Sequence, residues 1–469
     1  MGTSKLLQYK WELIVLLWVA FFLNQADRQV YNVVLRLIED DLQLSGKQLG
    51  LVVTVFTWTY GVLVPLAGYA GDVLRRKWIV CVALLFWSIT TVFTGISHSL
   101  AQLIFFRGVT TGGGEAFYYP AANSLIAQFH HRTRALAMAI HQTANYVGIV
   151  ACGLIAGYLG ERFGWRVAFF AFGGFGILWA LICVWRLKHT AQPAADDAGT
   201  QTGGPEIVEA EYGQSSTPSP RYSGETGGVR GEAADDEEPG RSSPTDAHPL
   251  AVGADRVPLS VVAREVFRKP TVWALCLAFG GFQFAGIGFL TWTPTFMYDK
   301  FGLSLVEAGF WSMFFSQLGA AIGALVGGRL SDRWAARRST ARMETEVLGL
   351  LLCAPFVLWV GRTNDLWLCY VALTGFGLAR GIYDSNLFAA QFDVVPPRLR
   401  SSAVGSMLAF GFVVGAPGSW YLGWIKELRG LAFGMASLSV VYLAAAVCMF
   451  VALKAFFPRD YRRETAHES

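Results

Sequence analysis

The chain of 469 residues is 53% hydrophobic and 14% aromatic, with only 15% charged residues and a mean hydropathy of +0.40. Soluble chains carry about 25% charged residues, and the apolar runs here repeatedly exceed the bilayer-spanning length, so a soluble class is excluded. The net charge is +4, and the basic residues concentrate in short loops and form no basic stripe. We therefore expect a lipid bilayer around the protein and no nucleic acid as a partner.

Apolar runs of spanning length predict an all-α membrane protein with twelve transmembrane helices. Their ranges are about 13–36, 49–71, 78–97, 100–125, 134–160, 166–187, 271–297, 305–329, 345–361, 365–391, 402–425 and 431–456. Loops rich in Lys and Arg stay in the cytoplasm. The richest loops contain Arg75, Arg76, Lys77, Arg132, Arg134, Arg333, Arg337, Arg338, Arg342, Arg398 and Arg400. We therefore expect a multi-pass protein of the cell inner (plasma) membrane with both termini cytoplasmic.

The first predicted span carries an adjacent acid and base, Asp27 and Arg28, in the stretch FFLNQADRQVYNVVL. Asp27 lies about 14 residues past Leu13, which is roughly 21 Å along a helix and deep in the hydrocarbon. A charge there costs at least ~2.5 kcal/mol, and helix neighbours point about 100° apart and do not simply neutralise each other. The pair predicts a substrate, ion or proton pathway, and a purely structural buried pair is the alternative.

Arg28 is our candidate for binding an anion, because a guanidinium stays charged and matches a carboxylate with a planar fork. Glu115 lies in the GGGEA stretch of the fourth span, where burial disfavours the ionised form. We expect Glu115 and Asp27 to couple transport to protons; a permanent ion pair of Glu115 with Arg28 or Arg107 is the alternative. Arg107 precedes Glu115 by eight positions, which leaves open the direction in which it faces.

Other polar residues at membrane depth are candidates for substrate binding. Arg380 and Asp384 are four apart on one face of the tenth span, so they form either an intrahelical ion pair or part of a substrate cavity. The neutral candidates for recognising hydroxyl groups are Tyr118, Asn145 and Gln283. His141 is either a buried core residue or a group that titrates near neutral pH.

The segment 188–262 separates two halves, 1–187 and 263–469, each with six predicted spans. It is rich in Gly, Ser, Pro, Thr and acidic residues, and such a composition predicts a disordered cytoplasmic linker. A simple tether is the first interpretation, and a regulatory or partner-binding segment is the second.

The halves echo each other in sequence. A glycine, three residues and an aspartate precede a basic cluster after the second span (68–77) and after the eighth (328–338), and Ala-Gln-Phe recurs at 127–129 and 390–392. Duplicated halves predict two pseudo-symmetric six-helix bundles, which are typical of secondary transporters with a midplane site.

At these residues the chain resembles the major facilitator superfamily over its whole length apart from the linker. The resemblance implies that the two duplicated loops form its gating motif, here with Gly68, Asp72, Arg76, Asp332 and Arg333. The common pattern has a basic residue at position 73 and a glycine at position 75, where this sequence has valine and arginine. The alternative is that these basic loops only fix topology.

Within that superfamily, NQADRQVYNVV, GGGEAFYYPAAN at 112–123 and FGWRVAFF at 163–170 resemble the anion:cation symporter family. Spinster-like lysolipid transporters share the Asp-Arg and Gly-Glu-Ala elements. The first resemblance implies that the protein moves carboxylated sugars or other organic anions with H⁺ or Na⁺.

We therefore expect proton-coupled uptake of a small organic anion, such as a sugar acid, by alternating access in a monomer. A lysolipid or other amphiphile, and a transport-fold sensor, are the alternatives; facing cations and amides favour an anion, whereas a seam lined by Phe and Leu favours lipid. No enzyme, cofactor or metal site is expected, because the sequence has no HExxH, GxSxG, CxxC or phosphate-binding glycine loop.

Overall fold

The computed structural model describes residues 3–130, 133–188, 265–396 and 399–468, and this part of the chain is almost entirely helical. The prediction of an all-α membrane protein is confirmed. The helices of the first half are α1 (Thr3–Leu42), α2 (Gly46–Val73), α3 (Arg76–Gly95), α4 (Leu100–Leu103), α5 (Gly112–Ala116), α6 (Tyr118–Phe129), α7 (Arg134–Phe163) and α8 (Trp165–Arg186). The predicted linker lies outside the described residues apart from Lys188.

The second half continues the series. Its helices are α9 (Pro270–Phe301), α10 (Leu305–Ala335), α11 (Ala341–Arg362), α12 (Leu366–Asp384), α13 (Ala389–Phe392), α14 (Arg400–Gly415), α15 (Pro417–Arg429), α16 (Leu431–Ala455) and α17 (Phe457–Glu468). Among the described residues, 11 helical stretches are long and apolar enough to cross a membrane, each at a predicted span. The predicted fourth span is also helical, but it is divided into α4, a π-helical segment (Ile104–Thr111), α5 and α6.

Matching residues begin and end matching helices in the two halves. Ser45 and Gln48 form a capping box before α2, and Ser304 and Glu307 form one before α10. These boxes satisfy backbone N–H groups that a helix start leaves free. Gly164 and Gly430 have φ angles of 88° and 82° at the α7–α8 and α15–α16 junctions, a conformation that favours glycine. The similarity between the two halves that the sequence shows therefore extends to the boundaries of matching helices.

The halves pack closely at the end where α1 finishes and α2 starts, which we call the closed end. There α2 contacts α15, and α7 contacts α10. Lys426 Nζ lies 2.7 and 2.5 Å from the carboxylate oxygens of Glu39, and Arg36 Nε lies 3.7 Å from Asp299 Oδ1. Backbone contact and ion pairs between the halves thus coincide at this end.

The halves separate toward the opposite end, where α2 finishes, which we call the open end. A Cβ atom on Gly61 would lie 2.7 Å from Phe412 Cβ, so α2 still contacts the second half there. At Gly68, two turns further along α2, a Cβ atom would have no described atom within 4 Å. The same holds at Gly328 and Gly405 of the second half. The contact between α2 and the second half therefore ends between Gly61 and Gly68.

Candidate functional site

A cluster of four ionisable side chains joins α1 to the composite fourth span. Arg28 Nε donates to Glu115 Oε2 over 2.6 Å, and Arg107 Nη1 donates to Asp27 Oδ2 over 3.4 Å. Asp27, Arg107 and Glu115 are 3%, 4% and 1% exposed, whereas the side chain of Arg28 is 24% exposed. Two acids balance two bases, which lowers the cost of burying the charges. Within this cluster, Arg28 is the cation that a solute reaches most easily.

Neighbouring groups fix the orientation of these side chains. Thr91 Oγ1 of α3 donates to Asp27 Oδ2 over 2.7 Å, and Arg107 Nη2 donates to the Asp27 carbonyl oxygen over 3.0 Å. The guanidinium carbon of Arg28 lies 4.2 Å from the ring centroid of Tyr60, a favourable cation–π distance. The cluster is therefore tied to α2, α3 and the α1 backbone.

Arg107 faces Glu115 because the helix between them begins as a π-helix, Ile104–Thr111. Eight residues of regular α-helix would leave the two side chains about 80° apart around the axis. A π-helical turn holds more residues and absorbs the extra one. Arg107 Nη1 accordingly lies 3.9 Å from Glu115 Oε1. The direction that the sequence left open is therefore toward both acids.

Both acids keep an oxygen that can hold a proton. Asp27 Oδ1 and Glu115 Oε1 are buried and accept no hydrogen bond from the part of the chain that the structure describes. Arg107 Nη1 lies between the two carboxyl groups, 3.4 Å from Asp27 Oδ2 and 3.9 Å from Glu115 Oε1. A carboxyl group that takes up a proton loses its charge and with it most of its attraction for an arginine. Protonation at Glu115 would therefore release Arg28.

A cavity of about 240 Å³ lies between the two halves, and the two arginines of this cluster line it. Its charged lining residues, among those described, are the arginines Arg28, Arg107 and Arg380. The carboxylates that pair with them, Asp27, Glu115 and Asp384, are absent from the described lining. The polar neutral lining residues are Gln25, Gln29, Tyr31, Asn32, Thr57, Tyr60, Asn145, Gln283 and Thr291. A solute here meets positive charge, amides and hydroxyls.

The second half contributes Arg380 and Gln283 to this cavity, and α7 contributes Asn145. Arg380 Nε lies 3.5 Å from Asp384 Oδ2, at the long limit for a hydrogen bond. Arg380 Nη1 is buried and has no hydrogen-bond partner among the described residues. The two interpretations of Arg380 and Asp384 are thus compatible, because the intrahelical pair leaves part of the guanidinium unused.

Tyr118 and His141 lie in the protein core and are not brought to the cavity. Tyr118 is fully buried, and its hydroxyl donates to the Leu17 carbonyl oxygen over 2.6 Å. His141 is 1% exposed; its Nε2 lies 3.2 Å from the Tyr118 hydroxyl, and its ring stacks on Phe21. Both side chains hold α1 and α7 against the fourth span. Tyr118 is therefore left out of the proposed substrate site, and the core interpretation of His141 is favoured.

The residues of the two gating loops lie at the open end. The side chain of Asp72 is outside the described residues. Arg76 Nε donates to the Gly71 carbonyl oxygen over 3.3 Å. Asp332 and Arg333 are exposed and form no ion pair with a described residue. Gly68 makes no close helix contact. Among the described side chains of the two loops, no ion pair of the expected latch is therefore formed.

The sequence did not single out Thr91, Tyr60 or Phe56, although all three contact the ionic cluster. Phe56 and Tyr60 are four apart on one face of α2, and that spacing was the available signal. A threonine inside an apolar helix gives no such signal, because its partner is decided by how α3 packs against α1.

A second, apolar groove lies on the first half. Its volume is about 770 Å³, and α2, α3 and the fourth span line it. Its larger side chains are Leu63, Leu74, Trp78, Ile79, Val82, Phe86, Val109 and Phe117, with Arg75 at its edge. It shares no described lining residue with the central cavity. The groove suits an acyl chain, whereas the central cavity suits a polar solute.

Comparison with known proteins finds named transporters of sugar acids among the relatives of this chain. The chain is 24% identical over 441 residues to a D-galactonate transporter of Escherichia coli O6:H1, covering 92% of this chain and 93% of that protein. It is also 24% identical over 433 residues to a probable galactarate/D-glucarate transporter of Bacillus subtilis, covering 90% and 86%.

Solved structures show the same fold. A bacterial homologue of the human lysosomal transporter Spinster, in an inward-facing and unoccupied conformation, superposes with a TM-score of 0.75 at 22% identity, over 96% of this chain and 98% of that one. The family model described as the Major Facilitator Superfamily matches residues 17–419. Two halves of membrane-spanning helices around a central polar cavity fit that assignment, and the chain belongs to the major facilitator superfamily of membrane transporters.

Proposed function

We propose that the protein is a secondary active transporter that takes up a small organic anion, such as a sugar acid, together with protons. The observation that carries this proposal is the central cavity, whose described charged lining consists of arginines, whereas their partner carboxylates are absent from that lining. Amide and hydroxyl groups around the arginines suit the hydroxyl groups of a sugar acid. The relatives named as galactonate and galactarate/D-glucarate transporters support the same substrate class.

Coupling follows from competition for Arg28. In the empty site, Glu115 occupies the guanidinium at 2.6 Å. A substrate carboxylate that binds Arg28 displaces Glu115, which then lies buried without its cation and takes up a proton. Asp27 stays paired with Arg107. Its buried oxygen Oδ1 accepts no hydrogen bond from a described residue and is a second position for a proton. Anion and proton therefore bind together and leave together.

In alternating access, the two halves, 1–187 and 263–469, tilt against each other so that the closed end opens while the open end closes. By the positive-inside rule, the basic loops at the open end support a cytoplasmic position for that end, for both termini and for the segment 188–262. The proposed transporter works as a monomer in the plasma membrane. In this orientation the site faces inward, and the gating residues Gly68, Asp72, Arg76, Asp332 and Arg333 meet when the halves tilt the other way. The segment 188–262 then serves as a tether between the halves.

The test is uptake by purified protein in proteoliposomes. Radiolabelled D-galactonate is expected to accumulate with an inward proton gradient, and a matched Na⁺ gradient at equal pH tests the other ion. Arg28→Gln should weaken binding roughly 30-fold or more, because a buried charge-assisted contact is lost. Arg28→Lys should recover part of it, since it restores charge without the planar fork. Binding without uptake in the wild type would instead assign a sensor.

The apolar groove favours a second candidate, a lysolipid substrate. Its lining could hold an acyl chain, and Arg75 could contact a phosphate group. Proteoliposome assays that follow both compounds decide between them: transport of lysophosphatidylcholine without uptake of D-galactonate would favour the lipid, whereas uptake of D-galactonate without lipid transport would favour the organic anion.

A further inference from the structure

Two arginines reach the central cavity from opposite halves of the protein. Arg28 comes from α1 and Arg380 from α12, and both belong to the same lining. Each is paired with a carboxylate of its own half, Glu115 at 2.6 Å and Asp384 at 3.5 Å. The cavity thus has one ion pair per half beside it, and the arginine of each pair belongs to the described lining while the carboxylate does not.

Arg380 is incompletely paired. Its Nη1 is buried without a hydrogen-bond partner among the described residues, and its Nε contact to Asp384 is long. A buried guanidinium N–H without an acceptor costs free energy that a ligand oxygen would recover. Because guanidinium groups prefer planar bidentate acceptors, a carboxylate is the ligand group that fits.

The space between the two arginines suits a small polyhydroxylated molecule. The cavity of about 240 Å³ holds roughly eight water molecules at ~30 Å³ each. Between the halves, Asn145 of α7 and Gln283 of α9 add amide groups to its wall. These groups would bind hydroxyls along the ligand while its two ends reach the arginines.

We propose that the ligand is a small polyhydroxylated dicarboxylate, with one carboxylate on Arg28 and the other on Arg380. This inference rests on the proposed function, because it names the anion of the same site. A dicarboxylate joins the two halves through charge-assisted contacts, whereas a monocarboxylate occupies one arginine and leaves the other uncompensated. The dicarboxylate therefore binds more tightly and favours closure of the open end.

The experiment measures the affinity of purified protein in detergent for D-glucarate and D-gluconate, which share a carbon skeleton and differ in the second carboxylate. The wild type should bind D-glucarate at least about 30-fold more tightly, as expected for one added charge-assisted contact. Arg380→Gln should lower the affinity for D-glucarate much more than the affinity for D-gluconate, so that the preference falls to about threefold or less. Arg380→Lys should restore part of the preference.

The outcomes separate this proposal from the proposed function. Equal or tighter binding of D-gluconate by the wild type would overturn the dicarboxylate assignment and keep the organic-anion transporter. An equal loss of affinity for both ligands in Arg380→Gln, and in Arg380→Lys, would assign Arg380 a structural role and also overturn it. Failure of both ligands, together with D-galactonate, to bind the folded wild type would overturn the proposed function as well.

Discussion

Gly423 of α15 packs directly on the backbone at the start of α2, since a Cβ atom on Gly423 would lie 2.1 Å from the Gly46 carbonyl oxygen. Approach this close is available to a residue without a side chain. Lys426, less than one turn further along α15, adds the ion pair with Glu39. The closed end is therefore held by a contact between the halves that one substitution can remove.

Gly423→Leu should prevent the closed end from closing. Overpacking costs about 1–3 kcal/mol, which shifts a two-state equilibrium roughly 5- to 150-fold. Uptake should fall, and a cysteine introduced at Thr291, which lines the cavity, should react faster with a membrane-impermeant maleimide added at the closed end. The matched control is Gly174→Leu on α8, where an added Cβ has no described atom within 4 Å. Equal labelling and uptake in the two variants would contradict the role of Gly423.

Gly68→Leu should act in the opposite direction. The open end has room for the new side chain, so the melting temperature should stay close to that of the wild type, within the ~0.5 kcal/mol typical of surface changes. Transport should nevertheless fall, because alternating access brings this end of α2 against the second half. Ligand binding should persist, and labelling of a cysteine at Thr291 from the closed end should decrease. Normal uptake by this variant would show that Gly68 is not part of a closing contact.

Glu115→Gln should separate binding from coupling. The amide is nearly isosteric with a protonated carboxyl group and cannot exchange a proton, so uptake driven by a pH gradient should disappear while counterflow of D-galactonate remains. Wild-type uptake should rise as the outer pH falls, and the variant should show no such dependence.

A second buried glutamate provides the control for that experiment. Glu346 of α11 is fully buried, neither of its carboxylate oxygens has a hydrogen-bond partner among the described residues, and it is absent from the described cavity lining. Glu346→Gln should keep the pH-driven uptake. Loss of coupling in both variants would mean that burial of a carboxylate, rather than its position beside Arg28, sets the effect.

The sequence predicted those parts of the site that a single helix determines. Asp27 and Arg28 were found because charge at membrane depth is costly wherever the helix packs, and Asn145 and Gln283 because they are polar within apolar spans. Tyr118 was an equally good candidate for substrate binding by the same criterion, yet its hydroxyl donates a hydrogen bond to the Leu17 carbonyl oxygen. Which face of a helix meets the cavity depends on packing between helices, which one sequence without relatives does not specify.

The sequence also did not predict which way the side chains of the fourth span face. A regular α-helix places residues seven apart on nearly the same face, and the spacing of eight between Arg107 and Glu115 left open the direction in which Arg107 faces. The π-helical segment Ile104–Thr111 decides that direction. Such a segment leaves little trace in composition, because it differs from an α-helix by one inserted residue.

That explanation predicts the effect of deleting one residue. Removal of Val109, whose side chain is 41% exposed, should convert the π-helical segment into regular α-helix and leave Arg107 and Glu115 seven apart, still on nearly one face. Binding of D-galactonate should therefore stay within about tenfold of the wild type, measured by thermal shift and equilibrium binding. As a control, deletion of Phe175 from the regular helix α8, where it is 46% exposed, would rotate all later side chains by about 100° and should lower the melting temperature sharply. If the Val109 deletion folds but binds no ligand, the π-helix has a role beyond aligning the two residues.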